Sequence, residues 1–416
     1  RLNALVNNKT EKEKLIIYIF IFAALAKLTF GVFFYNRFDV TWYRDWILDM
    51  NNGLFDIYAR ADSIALDYPP LFLLLVSPVN LLYRIIAPDT YEMADMLFMK
   101  LIPILFDILC GVLILKITKK SGNPDIAIFA LIFWLINPSA TFNSAFWGQT
   151  DSVLAFFILL TFWLLSENKP VASTVVFACA CMIKYQCAFF APIYLIGMVY
   201  VLKKTEIKWL LYSAIAGILT VAAVFVPFSV GAHNPWLIFD VYFGSVGSYP
   251  YCTVNASNLY SVLGLNWQPD STEMFLGVTY KAFGYGIVAA GILYVVCLWH
   301  FGEKKSLWMS GFFLMEHIFI FMPDMHERYQ FVVLPLLLVV WALYREKRHL
   351  WLYIALTLTT LGNQFVVLAN YIKTNLPWQG HFNSVLGVIA VFNLAFYLWS
   401  LYEFTAFSFK SDKKTV

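Results

Sequence analysis

Charged side chains are scarce in this sequence. Asp, Glu, Lys and Arg together make up 13% of its 416 residues, about half of their usual share in soluble domains. Apolar residues make up 61%, which excludes an ordinary soluble protein and indicates many membrane-spanning segments. The formal net charge is only +3 and is spread over short connections, so we expect no nucleic-acid partner.

Cysteine is also rare. The six cysteines fall mostly inside apolar runs, without the CxxC spacing or the neighbouring histidines of a zinc site. We therefore expect free thiols, no metal and no cofactor. Long polar stretches are lacking as well, so residues 1–416 are expected to form a single all-α, polytopic membrane domain.

Apolar runs long enough to cross a membrane recur along the chain. Basic clusters separate them at intervals that leave room for pairs of spans, and the positive-inside rule places these clusters, with both termini, on the cytoplasmic side. The sequence thus predicts about twelve spans, at residues 15–36, 97–117, 125–143, 149–165, 170–183, 186–202, 208–229, 278–300, 306–322, 329–344, 350–370 and 383–404.

One apolar run conflicts with this arrangement. If residues 69–86 also crossed the membrane, every later basic cluster would move to the outside. We therefore predict that residues 37–96 form an outer loop, in which 69–86 is a juxtamembrane or re-entrant helix started by Pro69 and Pro70. An ordinary thirteenth span is the alternative. A second outer segment, 230–277, is expected to be irregular and packed on the first.

The unusual polar residues fall on the outer side in this topology. Six distant stretches contribute them, and such convergence indicates a shared site. Asp107, inside a span, is set apart and is expected to pair with another polar group. The candidate site residues are Asp39, Arg44, Asp45, Asp67, Tyr68, Trp147, Gln149, Asp151, Lys184, Tyr251, Asn255, Asn258, His326, Glu327 and Arg328.

Asp39 is the candidate general base. It follows the first span, where partial burial raises the pKa of a carboxyl group toward the working pH. A solvated helix cap is the alternative for Asp39, as it is for Asp67 and Asp151. Trp147, Gln149 and the Tyr and Asn residues suit stacking on sugars and hydrogen bonding to them, although an interfacial aromatic belt has the same composition.

His326, Glu327 and Arg328 stand at the head of a span, where ionisable residues are costly unless they are paired or bind a ligand. Arg328 offers a two-pronged contact to a phosphate, and His326 adds a hydrogen bond or a charge. A structural ion pair between Glu327 and Arg328 is the alternative. Lys184, between two apolar runs, is either a further phosphate partner or a lysine that extends to the lipid headgroups.

These strings resemble a known family. Residues 39–107 resemble the first outer loop, and the stretch that follows it, of the dolichyl-phosphate-glucose-dependent alpha-glucosyltransferases of N-glycan assembly. The resemblance lies in Asp39, Arg44 and Trp46, then in "LDYPPL" (66–71) and "YEMADMLFMKLIPILFD" (91–107). Bacterial, mannosyltransferase-like members of the same GT-C superfamily are more similar in "WGQTDS" (147–152), "YPYCTVNASNLY" (249–260) and "MHERY" (325–329).

The resemblance implies a GT-C fold, with juxtamembrane helices in the first outer loop and the active site at the outer membrane face. It implies transfer of a hexose (glucose, mannose or galactose) from an undecaprenyl- or dolichyl-phosphate sugar to an acceptor hydroxyl, by direct displacement and without a metal. By position, Asp39 would be the general base. Arg328, His326 and, on a looser match, Lys184 would hold the lipid phosphate.

The sequence also departs from the eukaryotic pattern. Asp45 stands where the eukaryotic glucosyltransferases tend to have His, and Arg328 where they tend to have Lys, so we expect a different acceptor site. The short chain and modest loops favour a bacterial cell-membrane enzyme acting on an envelope glycan, with the endoplasmic reticulum membrane as the alternative. The expected partners are a polyprenyl-phosphate-linked sugar, membrane lipid, and a glycan, lipid or protein acceptor.

A transporter or flippase of lipid-linked sugar is the competing hypothesis. The same spans and the same basic residues could serve it. Alternating access, however, requires polar residues near the membrane midplane or on both faces. Here they crowd one face, which favours the enzyme.

Overall fold

The computed structural model describes residues 9–34, 39–86, 93–244, 248–374 and 383–410. Parts of the predicted segments lie outside these ranges. They are residues 35–36 of the first span, 37–38 and 87–92 of the first outer loop, and 245–247 of the second outer segment.

The described chain is almost entirely helical. The α-helices are α1 (Lys9–Phe33), α2 (Val40–Asp49), α3 (Pro70–Ile86), α4 (Met93–Thr118), α5 (Pro124–Leu135), α6 (Pro138–Thr141), α7 (Asp151–Ser166), α8 (Pro170–Cys181), α9 (Ala191–Leu202), α10 (Lys208–Gly231), α11 (Leu237–Gly244), α12 (Leu259–Val262), α13 (Tyr280–Phe301), α14 (Leu307–Phe321), α15 (Val333–Tyr344), α16 (Lys347–Thr374) and α17 (Asn383–Ser408). Shorter 3₁₀ turns cover Met50–Asn52, Ile57–Ile64, Lys119–Ser121, Tyr185–Phe190 and Tyr329–Val332. An antiparallel hairpin joins β1 (Glu273–Phe275) to β2 (Val278–Thr279).

Each of the twelve predicted spans coincides with a helix or helix pair. Seven helices of the described chain are long and apolar enough to cross a membrane, or eight if the bent pair at 124–147 counts as one span. Four shorter apolar helices, α7, α8, α14 and α15, match the remaining predicted spans. The protein is an all-helical integral membrane protein, and the count of twelve spans stays a prediction.

The bent pair owes its shape to Asn137 and Pro138. Proline has no N–H to continue the helix, and the Asn137 side chain accepts a hydrogen bond from the Ala140 N–H at 3.0 Å, which caps the new helix α6. The two halves meet at 42°. A π-helical stretch, Phe142–Trp147, then ends at Gly148, whose φ of 85° suits glycine. The chain thereby reverses and starts α7 at Asp151.

Helices α14 and α15 form the centre of the bundle. Every residue of α14 from Leu307 to Ile320 and of α15 from Val333 to Ala342 is buried. A helix on the surface of a soluble protein buries only one stripe, whereas these two are buried on all sides because other helices surround them. Residues 322–332 connect the end of α14 to the start of α15 and carry the His-Glu-Arg sequence.

The first outer segment forms a compact layer on the bundle. Helix α3 begins at Pro70, packs its buried face on α2, α4 and α10, and exposes Leu81, Leu82, Ile85 and Ile86. Its 17 residues give a length of about 26 Å at 1.5 Å per residue, short of the roughly 30 Å hydrocarbon core. The length does not distinguish a juxtamembrane helix from a span, because α7 and α14, which match predicted spans, are shorter. The position of residues 69–86 relative to the membrane stays a prediction.

The second outer segment is more ordered than predicted. Residues 230–277 contain α11, α12 and β1 in addition to loops. Leu237 shares a buried cluster with Trp46 and Phe72 of the first segment, so apolar packing joins the two segments. The reason is that aromatic and aliphatic residues between the glycines supply enough apolar area for short helices.

The basic clusters gather at one end of the bundle. Lys12 pairs with Asp125 at 2.8 Å and Lys410 with Glu346 at 2.6 Å, while Lys120 contacts Glu167. The residues from 322 to 328 lie at the opposite end of α14 from its start at Leu307. The structure thus separates the basic end from the end that carries the candidate site, as the positive-inside argument predicts.

Candidate active site

A cavity of about 260 Å³ lies among the predicted site residues. Five parts of the chain form its walls: the first outer segment, the turn after α8, residues 248–249 of the second outer segment, α13, and the connection between α14 and α15. The lining includes Asp39, Asp67, Tyr68, Lys184, His326 and Arg328. Six residues from these separate parts of the chain, all predicted from sequence, therefore meet in one pocket.

Asp39 stands at the start of α2 with a φ of 61°, an uncommon conformation for a residue other than glycine. Its Oδ2 accepts hydrogen bonds from Trp147 Nε1 at 3.2 Å and from Gln149 Nε2. Burial raises the pKa of Asp39, while the charge of Arg328 and these two hydrogen bonds oppose the rise. The carboxyl group is held in one orientation and is a stronger base than an exposed aspartate.

Tyr43 was missed in the sequence analysis, although it lies one helical turn after Asp39. Its hydroxyl donates to Gln149 Oε1 at 3.4 Å and lies 3.1 Å from the Tyr68 hydroxyl, which lies 3.0 Å from Thr150 Oγ1. Because the Gln149 oxygen faces Tyr43, its amide nitrogen faces Asp39. The i to i+4 spacing from Asp39 was the available signal.

Lys184 and Arg328 are the cations of the pocket. Lys184 forms an ion pair with Asp151, and both side chains are 3% exposed, so the lysine does not extend to the lipid headgroups. Arg328 pairs with Glu327 at 2.5 Å, and its Nε lies 3.9 Å from Asp151 Oδ2. The structural Glu327–Arg328 pair considered as an alternative is therefore present; Arg328 lines the pocket, whereas Glu327 lies behind its wall.

His326 contributes a neutral ring. Burial and the nearby charges of Arg328 and Lys184 lower the pKa of His326 well below its ordinary value. Tyr249 packs edge-on against the ring with centroids 4.7 Å apart. Of the two roles considered for His326, hydrogen bonding fits this environment and a positive charge does not.

Carboxylates outnumber cations around the pocket. Asp39, Asp67, Asp151 and Glu327 surround the two basic side chains. Burial raises the pKa of Glu327, and the surrounding protein raises the pKa of Asp67 to about 6 even though that side chain is exposed to the pocket. An anionic ligand must compete with these acids for the cations, so protonation of Asp67 or Glu327 makes the cations easier for it to bind.

Trp147, Gln149 and Asp151 lie behind the pocket wall. They are 0%, 0% and 2% exposed, so they hold Asp39 and Lys184 and do not themselves line the cavity. Arg44 and Asp45 also lie outside the lining, with the Asp45 side chain 54% exposed.

The predicted residues of the second outer segment support the pocket from outside. Tyr251 packs against Trp267, and Asn258 accepts from the Tyr260 N–H to cap α12. Asn255 Oδ1 accepts from Asn266 and Trp267 at 3.0 and 2.8 Å. These three side chains fix loop geometry next to His326, to which residues 254 and 255 pair through the backbone.

Several lining residues carried no distinct signal in the sequence. Aromatic and acidic side chains from α2, the 185–190 turn, α13 and the 322–328 connection complete the walls: Trp42, Tyr185, Phe189, Tyr285 and Asp324. Burial raises the pKa of Asp324 to about 6. Aromatic rings are abundant throughout this chain, so composition could not single these out.

Asp107 pairs with Lys27. The two groups lie 2.7 Å apart and are 0% and 1% exposed. Ser144 donates to Asp107 Oδ2 at 2.7 Å, and Thr141 accepts from Lys27 at 2.9 Å. The prediction that Asp107 pairs with another polar group is confirmed, and the pair is separate from the pocket.

A helical membrane bundle of this kind, with a polar pocket beside the helices of residues 39–86, has the GT-C glycosyltransferase fold. A solved structure with this fold is similar over 96% of the chain: the crystal structure of ArnT from Cupriavidus metallidurans bound to undecaprenyl phosphate. The match covers 78% of ArnT with a TM-score of 0.50 and 13% identical residues.

Sequence comparison then gives the family. The model of glycosyltransferase family 87 matches residues 66–323, more than half of the chain. The chain belongs to glycosyltransferase family 87. No curated protein sequence matches the chain.

Proposed function

We propose that the chain transfers a hexose from a polyprenyl-phosphate sugar to an acceptor hydroxyl at the extracytoplasmic face, with Asp39 as the general base. The observation that carries this proposal is the single pocket in which the hydrogen-bonded Asp39 meets His326, Lys184 and Arg328. A carboxylate of raised pKa facing two cations suits proton abstraction from a hydroxyl beside a bound phosphate.

The reaction is a direct displacement at the anomeric carbon. Asp39 takes the proton of the acceptor hydroxyl as its oxygen forms a bond to that carbon. The bond from the same carbon to the phosphate oxygen breaks, and both electrons leave with the polyprenyl phosphate. Arg328 stabilises the charge that develops there, and the neutral His326 donates a hydrogen bond to it.

Two further features support a lipid-linked donor. ArnT, which shares the fold, is bound to undecaprenyl phosphate in its crystal structure. The pocket of this chain also lies at the end of the bundle away from the basic clusters, where a membrane lipid can present its phosphate. The bacterial cell membrane is the proposed location, and a glycan, lipid or protein hydroxyl is the proposed acceptor.

The test uses purified protein in lipid nanodiscs with undecaprenyl-phosphate glucose, mannose and galactose and a panel of acceptors. We expect release of free undecaprenyl phosphate from one of these donors and formation of a glycosylated acceptor. If no donor is consumed while lipid-linked sugar crosses vesicles that contain the protein, the flippase hypothesis replaces the enzyme.

Arg328→Ala tests the phosphate assignment. We expect the KM for the donor to rise by about 10- to 100-fold, because a charged hydrogen-bonding partner of the phosphate contributes roughly 1.5–3 kcal/mol. Arg60→Ala is the matched control, since Arg60 pairs with Asp49 at 2.7 Å outside the pocket. An unchanged donor KM in Arg328→Ala would leave only the structural ion pair with Glu327.

A further inference from the structure

Helix α16 carries a buried polar face that no step of the proposed reaction uses. Thr360, Asn363 and Gln364 are each 0% exposed, and their spacing of three and four places them on one side of the helix. The helix begins at Lys347, beyond residue 323 where the family match ends. Buried polar groups in a membrane bundle persist where they are hydrogen-bonded, so their partners show what they hold.

Asn363 holds the loop behind His326. Its Nδ2 donates to the Asn255 carbonyl at 2.8 Å, and its Oδ1 accepts from the Ser257 N–H at 2.8 Å. The same loop reaches the pocket one residue earlier, where the Val254 N–H donates to the Met325 carbonyl at 2.9 Å. One side-chain amide therefore fixes the backbone that supports His326.

Thr360 holds the turn that presents Arg328. Its hydroxyl donates to Gln330 Oε1 at 3.1 Å, and the Gln330 amide donates to both carboxyl oxygens of Glu316 at 3.1 and 3.0 Å. Gln330 lies in the 3₁₀ turn closed by the Phe331 N–H donating to the Arg328 carbonyl at 2.9 Å. The Gln330 amide also donates to Asn393 Oδ1 of α17 at 3.4 Å, so the turn is anchored from three helices, α14, α16 and α17.

Gln364 helps to hold Asp151, the acid that contacts both Lys184 and Arg328. Asn143 Nδ2 donates to Asp151 Oδ2 at 2.9 Å and to Gln364 Oε1 at 3.4 Å. Gln364 in turn donates to Ser139 at 3.3 Å. Because Gln364 fixes the Asn143 amide, it also fixes the carboxylate that contacts both cations.

We propose that this face of α16 positions the phosphate-binding groups, with Thr360, Asn363 and Gln364 as positioning residues for Arg328, His326 and the Lys184–Asp151 pair. The inference rests on the proposed function, and it extends the donor site to a helix outside the matched family region. Ordinary helix packing would account for polar contacts with a single neighbour. These three residues instead contact three different supports of one pocket.

Two neighbouring threonines supply a matched test. Thr360→Val removes the hydrogen bond to Gln330, whereas Thr359→Val removes a hydroxyl that donates to carbonyls of its own helix, those of Ala355 and Leu356. We expect Thr360→Val to weaken undecaprenyl-phosphate binding and raise the donor KM by about fivefold, the usual effect of one neutral hydrogen bond. We expect Thr359→Val to match wild type and Thr360→Ser to restore the affinity.

The readouts separate positioning from stability. Undecaprenyl-phosphate affinity, donor KM, kcat and Tm are measured for all three variants and for Gln364→Met. Equal affinities in Thr360→Val and Thr359→Val, or a lower Tm with unchanged affinity, would overturn the inference while wild-type turnover leaves the proposed function standing. If the wild type neither binds undecaprenyl phosphate nor consumes a donor, the proposed function fails, and this inference with it.

Discussion

Two buried clusters of acids and cations in this protein use the same residue types for different ends. Lys27 and Asp107 form a one-to-one pair that is 1% and 0% exposed, with hydroxyl groups of Thr141 and Ser144 around it. At the pocket, Lys184 and Arg328 share more carboxylates than they can neutralise, and the cluster opens into a cavity.

The difference shows what makes a buried ion pair functional in a membrane bundle. A closed, balanced pair offsets part of its desolvation through its own contacts, and no ligand can reach it. An open cluster with surplus acid keeps its cations available, because protonation of one acid frees a partner for an incoming anion. We therefore expect substitutions at the closed pair to change folding, and substitutions at the pocket to change catalysis.

The largest expected effect is that of Asp39→Asn. Loss of the general base should lower kcat by about 10²- to 10⁴-fold, with undecaprenyl-phosphate affinity retained and Tm close to wild type. Donor turnover and thermal unfolding in the same nanodiscs provide the measurement. Turnover equal to that of wild type would remove Asp39 from the mechanism.

Lys27→Met tests the closed Lys27–Asp107 pair, where we expect a loss of stability and no loss of catalysis. It leaves Asp107 buried without its cation, and breaking such a pair costs roughly 3–5 kcal/mol of folding stability. We expect a markedly lower Tm and yield, with kcat per folded molecule near the wild-type value. The double variant Lys27→Met with Asp107→Leu should recover much of the Tm; a selective loss of kcat without instability would contradict the comparison.

Tyr43→Phe probes the support of the general base. The variant keeps the ring and removes the donor to Gln149 Oε1, so Gln149 can rotate away from Asp39. One lost hydrogen bond of about 1 kcal/mol corresponds to a roughly fivefold lower kcat. The control is Tyr58→Phe, since Tyr58 donates to the Tyr68 carbonyl and does not contact Gln149. Equal kcat values for the two variants would exclude the role of Tyr43.

The smallest expected effect is a pH dependence at Asp67, whose pKa is raised to about 6. Below pH 6 the carboxyl group is protonated, the pocket loses one negative charge, and an anionic donor binds more tightly. As pH rises through 6 the donor KM should therefore increase, by about threefold for one solvent-screened charge. Asp67→Asn should reduce this change, and the double variant with Asp324→Asn should remove it, because the pKa of Asp324 in the same pocket is also raised to about 6. A KM that falls with rising pH would contradict the sign.

Much of this architecture could be predicted from the sequence. Apolar run length and basic clusters predicted the helices and the end of the bundle that carries the site. These features depend on local composition, because each segment enters the bilayer or stays outside it according to its own hydrophobicity and flanking charge. The candidate residues Asp39, Lys184, His326 and Arg328 stood out because ionisable groups are conspicuous in an apolar chain.

Other features could not be predicted in that way. Tyr43, Trp42 and Tyr285 are ordinary members of an aromatic-rich sequence, and Thr360, Asn363 and Gln364 are ordinary polar residues of a long helix. Lys27 gave no indication that Asp107 was its partner, 80 residues away. Each of these roles depends on which distant side chain lies opposite, and helix packing alone decides that.

The sequence by itself determined that this is a membrane protein of many helices, which end is basic, and which residues can do chemistry, because hydrophobicity and charge act locally along the chain. Only the tertiary structure decided the rest. It paired Asp107 with Lys27 and placed Asp151 between Lys184 and Arg328. It also turned Trp147 and Gln149 toward Asp39, because hydrogen bonds and ion pairs form only between groups that packing brings within about 3 Å.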